Sequence, residues 1–400
     1  MKKIFIATHW MEIGGAERSL LGLLDSIDYS EYSVDLFLCR HTGDFLKYIP
    51  KEVNLLKEDK KAADIAAPIK QVMINKNYDI ALGRLKSKIV TKMYNIMHKS
   101  EKVNIVEIEN SNRYTHKYLR YISYNITYDL AISFLEPHYI VANKVKAKKK
   151  IAWMHTDYSA ISLNIKEGYR VWSNYDNIIA ISEECKNSFA NIFPNLKDRI
   201  LIIENIISTN LINRQAKEKI TEEYNLRSGD EIILLSIGRF CKAKNFDNIP
   251  DIARKIKNMG CNIKWYLIGY GGEEELIREN IRNNKVEDCV IILGKKVNPY
   301  PYINQCDIYI QPSRYEGKSV SVREAQILNK PVVITNFKTA RSQLIDKFDG
   351  IIVPSNNNEC AKKIVEFIKD ESLRTKIIKN IKENNYSNQD EIKKIIKLIN

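Results

Sequence analysis

Short apolar runs rich in β-branched residues alternate with amphipathic stretches along most of this chain of 400 residues. In the first half Lys3–Thr8, Ser33–Cys39, Tyr128–Phe134, Ile151–Met154 and Ile178–Ser182 read as strands. Ile232–Ile237, Lys264–Ile268, Val290–Leu293, Ile308–Ile310, Pro331–Thr335 and Gly350–Val353 repeat the rhythm in the second half. Uninterrupted apolar runs of this length suit strands buried on both faces of a parallel sheet. Helical periodicity appears at Arg18–Leu24, Ile69–Ile74, Ile80–Ser100 and Ser319–Leu328, and in the tail at Glu359–Ile368, Leu373–Lys382 and Glu391–Ile399. Alternation of the two kinds of element predicts an α/β protein with doubly wound sheets. The pattern loosens at Asn205–Glu218, which places an interdomain linker there, and the length suits two domains.

Polar chemistry gathers where strands end. Gly14-Gly15 follows the first strand and precedes a helix, an arrangement that brings backbone N–H groups close to phosphate, although any βα turn carries such a pair as readily. His155 and Asp157 follow Ile151–Met154, and Ser182 ends another strand, where it also suits a helix cap. Arg239 and Lys244 follow Ile232–Ile237 and read either as a pyrophosphate clamp or as a basic loop. Gly269-Tyr270-Gly271-Gly272 is a close-approach turn carrying only part of a dinucleotide fingerprint. After Ile308–Ile310 come Pro312-Ser313, Glu316, Gly317 and then a helix carrying Glu324. The two carboxylates would lie ~10–12 Å apart along that helix, a span suited to a ligand with hydroxyls at both ends and an anionic middle over the helix start. A capping box, Ser321-x-x-Glu324, explains Glu324 equally well.

Composition narrows the field. Hydrophobic residues make up 44% and charged residues 28%, with no run of ~18 uncharged apolar residues, so no membrane span is expected. The N-terminal apolar run, interrupted by His9, Trp10 and Glu12, reads as a strand and not as a signal peptide. Seven cysteines without a C-x-x-C pair suggest free thiols and a cytoplasmic setting. All six histidines lie at or before position 155, which argues against a histidine-rich metal site near Glu316. The net charge of +14 suits an anionic partner, or is simply solvated. Within residues 80–100 the cations Arg84, Lys86, Lys88, Lys92 and Lys99 surround an apolar stripe of Leu85, Ile89, Met93, Ile96 and Met97. That helix either lies on an anionic membrane surface or turns its stripe into the core with its charges solvated.

In order along the chain, G-R-x4-K, G-x-G, P-S-x-x-E-G and E-x7-E resemble the retaining GT-B glycosyltransferases of family 4, also called group 1. The resemblance runs from Gly14-Gly15 to the terminal helix and is strongest from Ser236 to Asn336. E-G-K-S-V-S-V-R-E-A-Q, with W-M-H-T-D-Y upstream, is similar to the branch that assembles bacterial capsule and other surface polysaccharides. It implies two Rossmann-like domains facing a cleft: 1–205 on the acceptor side, 206–385 binding the nucleotide sugar, and 386–400 a helix returning to the first domain.

By the same resemblance Gly14 and Gly15 would present N–H groups to donor phosphates. Arg239 and Lys244 would hold the pyrophosphate and stabilise the departing diphosphate. Glu316 would accept from sugar hydroxyls, with Gly317 and the backbone of Ser319 and Val320 near the phosphates, and Glu324 would take the ribose. His155 would sit beside the donor sugar; Asp157, Ser182 and Asn205 would serve the acceptor or the cleft. Asn245, where the family usually has glycine, and Lys318, where Phe is common, depart from the pattern. The implied enzyme is a hexosyl- or N-acetylhexosaminyltransferase, a UDP-sugar its favoured donor. Its acceptor would be a lipid-linked saccharide, reached from the cytoplasm or the inner face of the plasma membrane. No cofactor is implied, and with no D-x-D in the chain no metal is expected. Competing readings are an epimerase of the same fold, and a basic nucleic-acid-binding protein, for which no recognition helix or aromatic platform is found. A nicotinamide dehydrogenase is disfavoured for want of a complete G-x-G-x-x-G.

Overall fold

The computed structural model describes residues 1–98, 103–219, 225–227, 229–316 and 319–399. Gly317 and Lys318, and Lys99 and Ser100 at the end of the expected basic helix, lie outside the described residues. Two compact units emerge, Met1–Ser208 with Asn388–Asn400, and Thr209–Ser387.

The first unit contains β1 (Lys2–Thr8), β2 (Tyr32–Leu38), β3 (Asn54–Leu55), β4 (Val103–Asn104), β5 (Tyr128–Ser133), β6 (Ala147–Met154), β7 (Ile161–Ser162), β8 (Asn177–Ala180) and β9 (Ile200–Ile202). Seven of these form one sheet in the order β3-β2-β1-β5-β6-β8-β9, while β4 pairs with β7 apart from it. Every pair in the large sheet is parallel. Winding proceeds outward from β1 through β2 to β3, then resumes on the other side at β5. The strand order therefore reverses between β1 and β5. Phe5 anchors this junction, its ring 5.2 Å from Tyr128 and 6.4 Å from Phe37. The edge strand β9 escaped the sequence reading because three residues after a proline-led turn carry too little periodicity.

The second unit repeats the plan with β10 (Ile232–Ile237), β11 (Ile263–Ile268), β12 (Val290–Gly294), β13 (Ile308–Gln311), β14 (Val332–Thr335) and β15 (Ile351–Val353), ordered β12-β11-β10-β13-β14-β15. Here the reversal falls between β10 and β13. Ser236 pins the two strands: its Oγ donates to the Ile310 carbonyl at 2.6 Å and accepts from the buried Trp265 Nε1 at 3.0 Å. Leaving that indole N–H unpaired would cost ~1–3 kcal/mol, so this serine holds three strands in register.

The expected linker is only partly irregular, since Thr209–Gln215 is helical. Leu211, Ile212 and Gln215 are buried within the second unit. The chain returns to the first unit at Asn388, whose Oδ1 accepts from the Ile207 N–H at 2.8 Å and whose Nδ2 donates to the Asn205 carbonyl at 2.8 Å. Ile392–Ile399 then forms the terminal helix.

Five helices of the first unit are α1 (Gly15–Asp25), α2 (Lys60–Asp64), α3 (Ile69–Ile74), α4 (Tyr78–Met97) and α5 (Val106–Thr115). The core-helix reading of α4 fails. Its buried face is Ile80, Ala81, Gly83, Ser87 and Thr91, and the expected apolar stripe faces away from the protein. The reason is packing distance. A Cβ on Gly83 would stand 2.7 Å from the Tyr114 carbonyl oxygen, and Thr91 Oγ1 accepts from the buried Asn110 Nδ2 at 2.9 Å. Small residues four apart let α4 approach α5 closely, which large side chains would prevent.

Helix α5 brings acids together. Glu167 pairs with Arg113 at 2.6 Å, and Glu109 accepts from the Asn164 N–H at 2.8 Å. Burial, against that hydrogen bond and with Glu136 and Glu167 nearby, pushes the Glu109 carboxyl up to about 8. The folded protein therefore keeps a proton there that the unfolded chain releases near ~4.3. Its stabilising contribution is complete below that value and is lost as pH rises through about 8. Glu109→Gln should remove this loss, so the melting temperature of the variant relative to wild type should climb between pH 6 and pH 9. A constant difference across that range in thermal unfolding would refute the assignment.

Candidate functional site

In the second unit, residues after β10 and β13 meet beside the strand reversal, where loops leave in opposite directions and open a crevice at the carboxyl ends of the strands. The Lys244 ammonium, from the loop after β10, forms an ion pair with Glu316 Oε1, from the loop after β13. Both side chains are largely buried, 21% and 11% exposed, so the pair is shielded from the solvent that makes surface pairs weak. A relay of hydrogen bonds leads to it. Tyr309 OH donates to Gln311 Oε1 at 2.9 Å, Gln311 Nε2 to Ser313 Oγ at 2.9 Å, and Ser313 Oγ to Glu316 Oε1 at 3.0 Å. Thr339 Oγ1 also holds the Glu316 carbonyl at 2.6 Å. The carboxylate is thus fixed by Ser313 and Lys244, and the backbone that carries it by Thr339.

The β10 loop is built to deliver Lys244. Arg314 makes a two-pronged contact with Asp247 at 2.8 and 2.6 Å, and its Nη1 also reaches the Lys242 carbonyl at 2.7 Å. Asn245 adopts φ 62°, the left-handed region that glycine enters freely and asparagine tolerates better than most residues. This accounts for its standing where the family pattern has glycine. Its buried Nδ2 donates to the Pro312 carbonyl at 2.8 Å and its Oδ1 accepts from Asn248. The departure is met by backbone geometry, with the side chain tied to the neighbouring loop. Arg239 is exposed just after β10 and has no ion pair among the described residues.

The glycine turn after β11 serves the protein itself. A Cβ on Gly269 would come within 1.9 Å of the Gly238 carbonyl oxygen, and Gly271, at φ 154°, within 2.4 Å of the Phe240 carbonyl oxygen. Glycine is needed so that this turn can lie against the loop that carries Arg239.

Helix Val320–Ile327 starts at Ser319, whose side chain makes no capping bond. The capping box is not formed: Ser321 sits inside the first turn, and Glu324, 1% exposed, accepts from Tyr300 OH at 2.7 Å. The Ser319 amide is engaged by the buried Gln343, whose Oε1 accepts from it at 2.6 Å. Nothing near Gln343 in the sequence signals that role, because it comes from a separate short helix, Ala340–Gln343. The Gln311–Ser313 relay was likewise missed, although the P-S-x-x-E-G stretch contains its end.

The first unit gathers its candidates on the same edge of its own sheet. Gly14 caps α1, where a Cβ would stand 2.1 Å from the Glu17 carboxylate oxygen, whereas a Cβ on Gly15 would meet nothing within 4 Å. His155 follows β6 with its ring 4.8 Å from Phe134. Burial lowers it to about 4, with hydrogen bonds to the Phe134 backbone and the Asn205 side chain opposing only partly. It is therefore a neutral ring at physiological pH, and its buried Nε2 has no partner among the described residues. Asn205 Oδ1 accepts from Ser19 Oγ at 3.0 Å, tying the His155 neighbourhood to α1. Asp157 Oδ1 accepts from the Ser159 N–H at 2.8 Å, and Ser182 Oγ from the Cys185 N–H at 3.2 Å. Both act as caps of the elements that follow.

Residues 217–384 match the family described as Glycosyl transferases group 1. The matched stretch lies within the second unit. Over 277 residues the chain is 27% identical to the uncharacterized glycosyltransferase MJ1178 of Methanocaldococcus jannaschii, a stretch covering 66% of this chain and 73% of that protein. It is 30% identical over 223 residues to the capsular polysaccharide biosynthesis glycosyltransferase CapM of Staphylococcus aureus, covering 53% and 58%. Among solved structures, a mutant of S. aureus TarM in complex with fondaparinux, alpha-GlcNAc-glycerol and UDP superimposes with a TM-score of 0.67 at 16% identity, over 100% of both chains. The fold is therefore GT-B. Within the matched stretch, the four motif positions Arg239, Lys244, Glu316 and Glu324 all lie on elements that flank the β10/β13 reversal.

Left-handed geometry at Asn245 makes a stability prediction. Asn245→Val should destabilise the domain by about 2–3 kcal/mol, from left-handed strain of ~1–2 kcal/mol and a lost buried hydrogen bond of ~1 kcal/mol. Asn245→Gly should lose only the second part. Equal losses in denaturant unfolding would show that backbone conformation is not what selects this residue.

Proposed function

We propose that the chain is a retaining glycosyltransferase that moves a sugar from a UDP-sugar to a saccharide acceptor of a bacterial surface glycan, carried on a lipid. The observation that carries this reading is the shielded Lys244–Glu316 pair at the strand reversal within the stretch that matches group 1. Support for the substrate class comes from the CapM relationship and from UDP in the TarM complex.

In this reading the donor diphosphate joins the Lys244 ammonium and the Arg239 guanidinium, which take up the charge that grows on the leaving group. Glu316, held by Ser313 and Thr339, accepts from hydroxyls of the donor sugar. The helix start at Val320 adds dipole and amide stabilisation, the Ser319 amide being held by Gln343, and Glu324 takes the ribose. The acceptor oxygen attacks the anomeric carbon on the face the diphosphate leaves. The carbon–oxygen bond to phosphate breaks, the new glycosidic bond forms, and the acceptor proton passes to the departing phosphate oxygen. Retention follows from same-face attack. Cationic side chains stabilise the diphosphate in this scheme, and no metal is invoked. On the first unit, the neutral His155 ring offers Nε2 for a hydrogen bond to substrate, and Gly14-Gly15 a helix start that the Glu17 carboxylate shares. Asp157, Ser182 and Asn205 shape that surface for the acceptor.

A thermal-shift series with UDP, GDP, dTDP and their sugars tests the donor. UDP compounds should raise the melting temperature, and no shift with any of them would sink the reading. Lys244→Ala and Glu316→Gln should each lower turnover by about 100-fold or more while the fold is kept. Retention of near wild-type turnover by either variant would remove that residue from the chemistry. Release of an epimerised or free sugar without acceptor would favour an epimerase instead.

A further inference from the structure

Helix α4 has two opposite faces, and the wrong one is outside for a protein that meets only water. The buried face is small and polar, centred on Gly83, Ser87 and Thr91. On the opposite face Leu82, Leu85, Ile89, Met93, Ile96 and Met97 form one continuous stripe, each between 52% and 70% exposed. Met73 and Ile74 at the end of α3 and Tyr78 at the start of α4 are exposed as well. Single exposed apolar side chains need no explanation, but a contiguous stripe along a helix of 20 residues does.

Charge identifies the occupant. Lys86 flanks the stripe on one side and Lys88 and Lys92 on the other, all three exposed. Lys88 and Lys92 also line an open depression of about 590 Å³ with Thr91, Asn95, Ile96 and Glu107. Arg84, by contrast, is turned inward and half-buried, with Glu107 and Asp64 among its charged neighbours, so it takes no part in this surface. Apolar residues in the middle with lysines on both flanks match the boundary of an anionic bilayer, where the stripe enters the acyl region and the ammonium groups reach headgroup phosphates. Among the described residues no helix is long and apolar enough to cross a membrane.

We propose that α4 docks the first unit onto an anionic lipid bilayer, with Leu82, Leu85, Ile89, Met93, Ile96 and Met97 inserted and Lys86, Lys88 and Lys92 at the headgroups. This is independent of the donor chemistry, because every residue involved belongs to α4.

Vesicle co-sedimentation of the full chain tests it, using zwitterionic vesicles and vesicles with about 30% anionic lipid at low and high salt. Wild type should bind the anionic vesicles and weaken with salt. The triple variant Lys86→Gln, Lys88→Gln, Lys92→Gln should lose on the order of 100-fold in partitioning to anionic vesicles, at about fivefold per lysine. The variant Leu85→Ser, Ile89→Ser, Met93→Ser should lose binding to both kinds of vesicle while keeping the wild-type melting temperature, since none of the three is buried. Absence of wild-type binding at low salt overturns the proposal. So does equal binding of the serine variant. A wild type that self-associates without vesicles, and becomes monomeric in the serine variant, would assign the stripe to a second copy of the chain and overturn it equally.

Discussion

The Lys244–Glu316 ion pair depends on a constraint set by the whole second sheet: two neighbouring parallel strands whose crossovers leave in opposite directions. Only there do the loops after β10 and β13 stand side by side without a helix filling the space between them. Ser236 keeps those two strands in register through the Ile310 carbonyl and Trp265. Asn245 and Arg314 then clamp the first loop to the second. Charge, relay and helix start are all consequences of that junction. In the proposed reaction the ammonium and the carboxylate would exchange each other for a diphosphate and a sugar hydroxyl, with neither needing to be ordered anew.

Both units use the same topological device, with different chemistry on it. The first sheet reverses between β1 and β5, and its strand ends carry a helix start at Gly14-Gly15 with the Glu17 carboxylate against it, and a neutral, largely enclosed His155. The second carries the charged pair. Burial explains the first: the Phe134 and Trp153 surroundings disfavour an imidazolium, whereas Lys244 and Glu316 face each other as an ion pair.

Helix α4 shows why periodicity alone does not orient an element. Its apolar stripe was legible, and so was the four-residue spacing of Gly83, Ser87 and Thr91. Which of the two faces is buried depends on α5, because the Tyr114 carbonyl leaves no room for a side chain larger than hydrogen at Gly83. The same limit applies to Ser321 and Glu324. Their spacing satisfies a capping box, but the helix starts at Ser319, and Glu324 finds Tyr300 from another helix.

The amino-acid sequence by itself determined the α/β class, most of the strands, the glycine turns and the motif positions Arg239, Lys244, Glu316 and Glu324. Those features rest on local periods, on backbone freedom and on residue types within a few positions of one another. Only the tertiary structure decided that Lys244 meets Glu316, that Gln343 engages the Ser319 amide, that Gly269 and Gly271 make room for the Gly238–Phe240 backbone, and that the apolar face of α4 is outside. Each of these joins segments far apart in the chain, and contacts at that range are settled by packing and register, which no local pattern encodes.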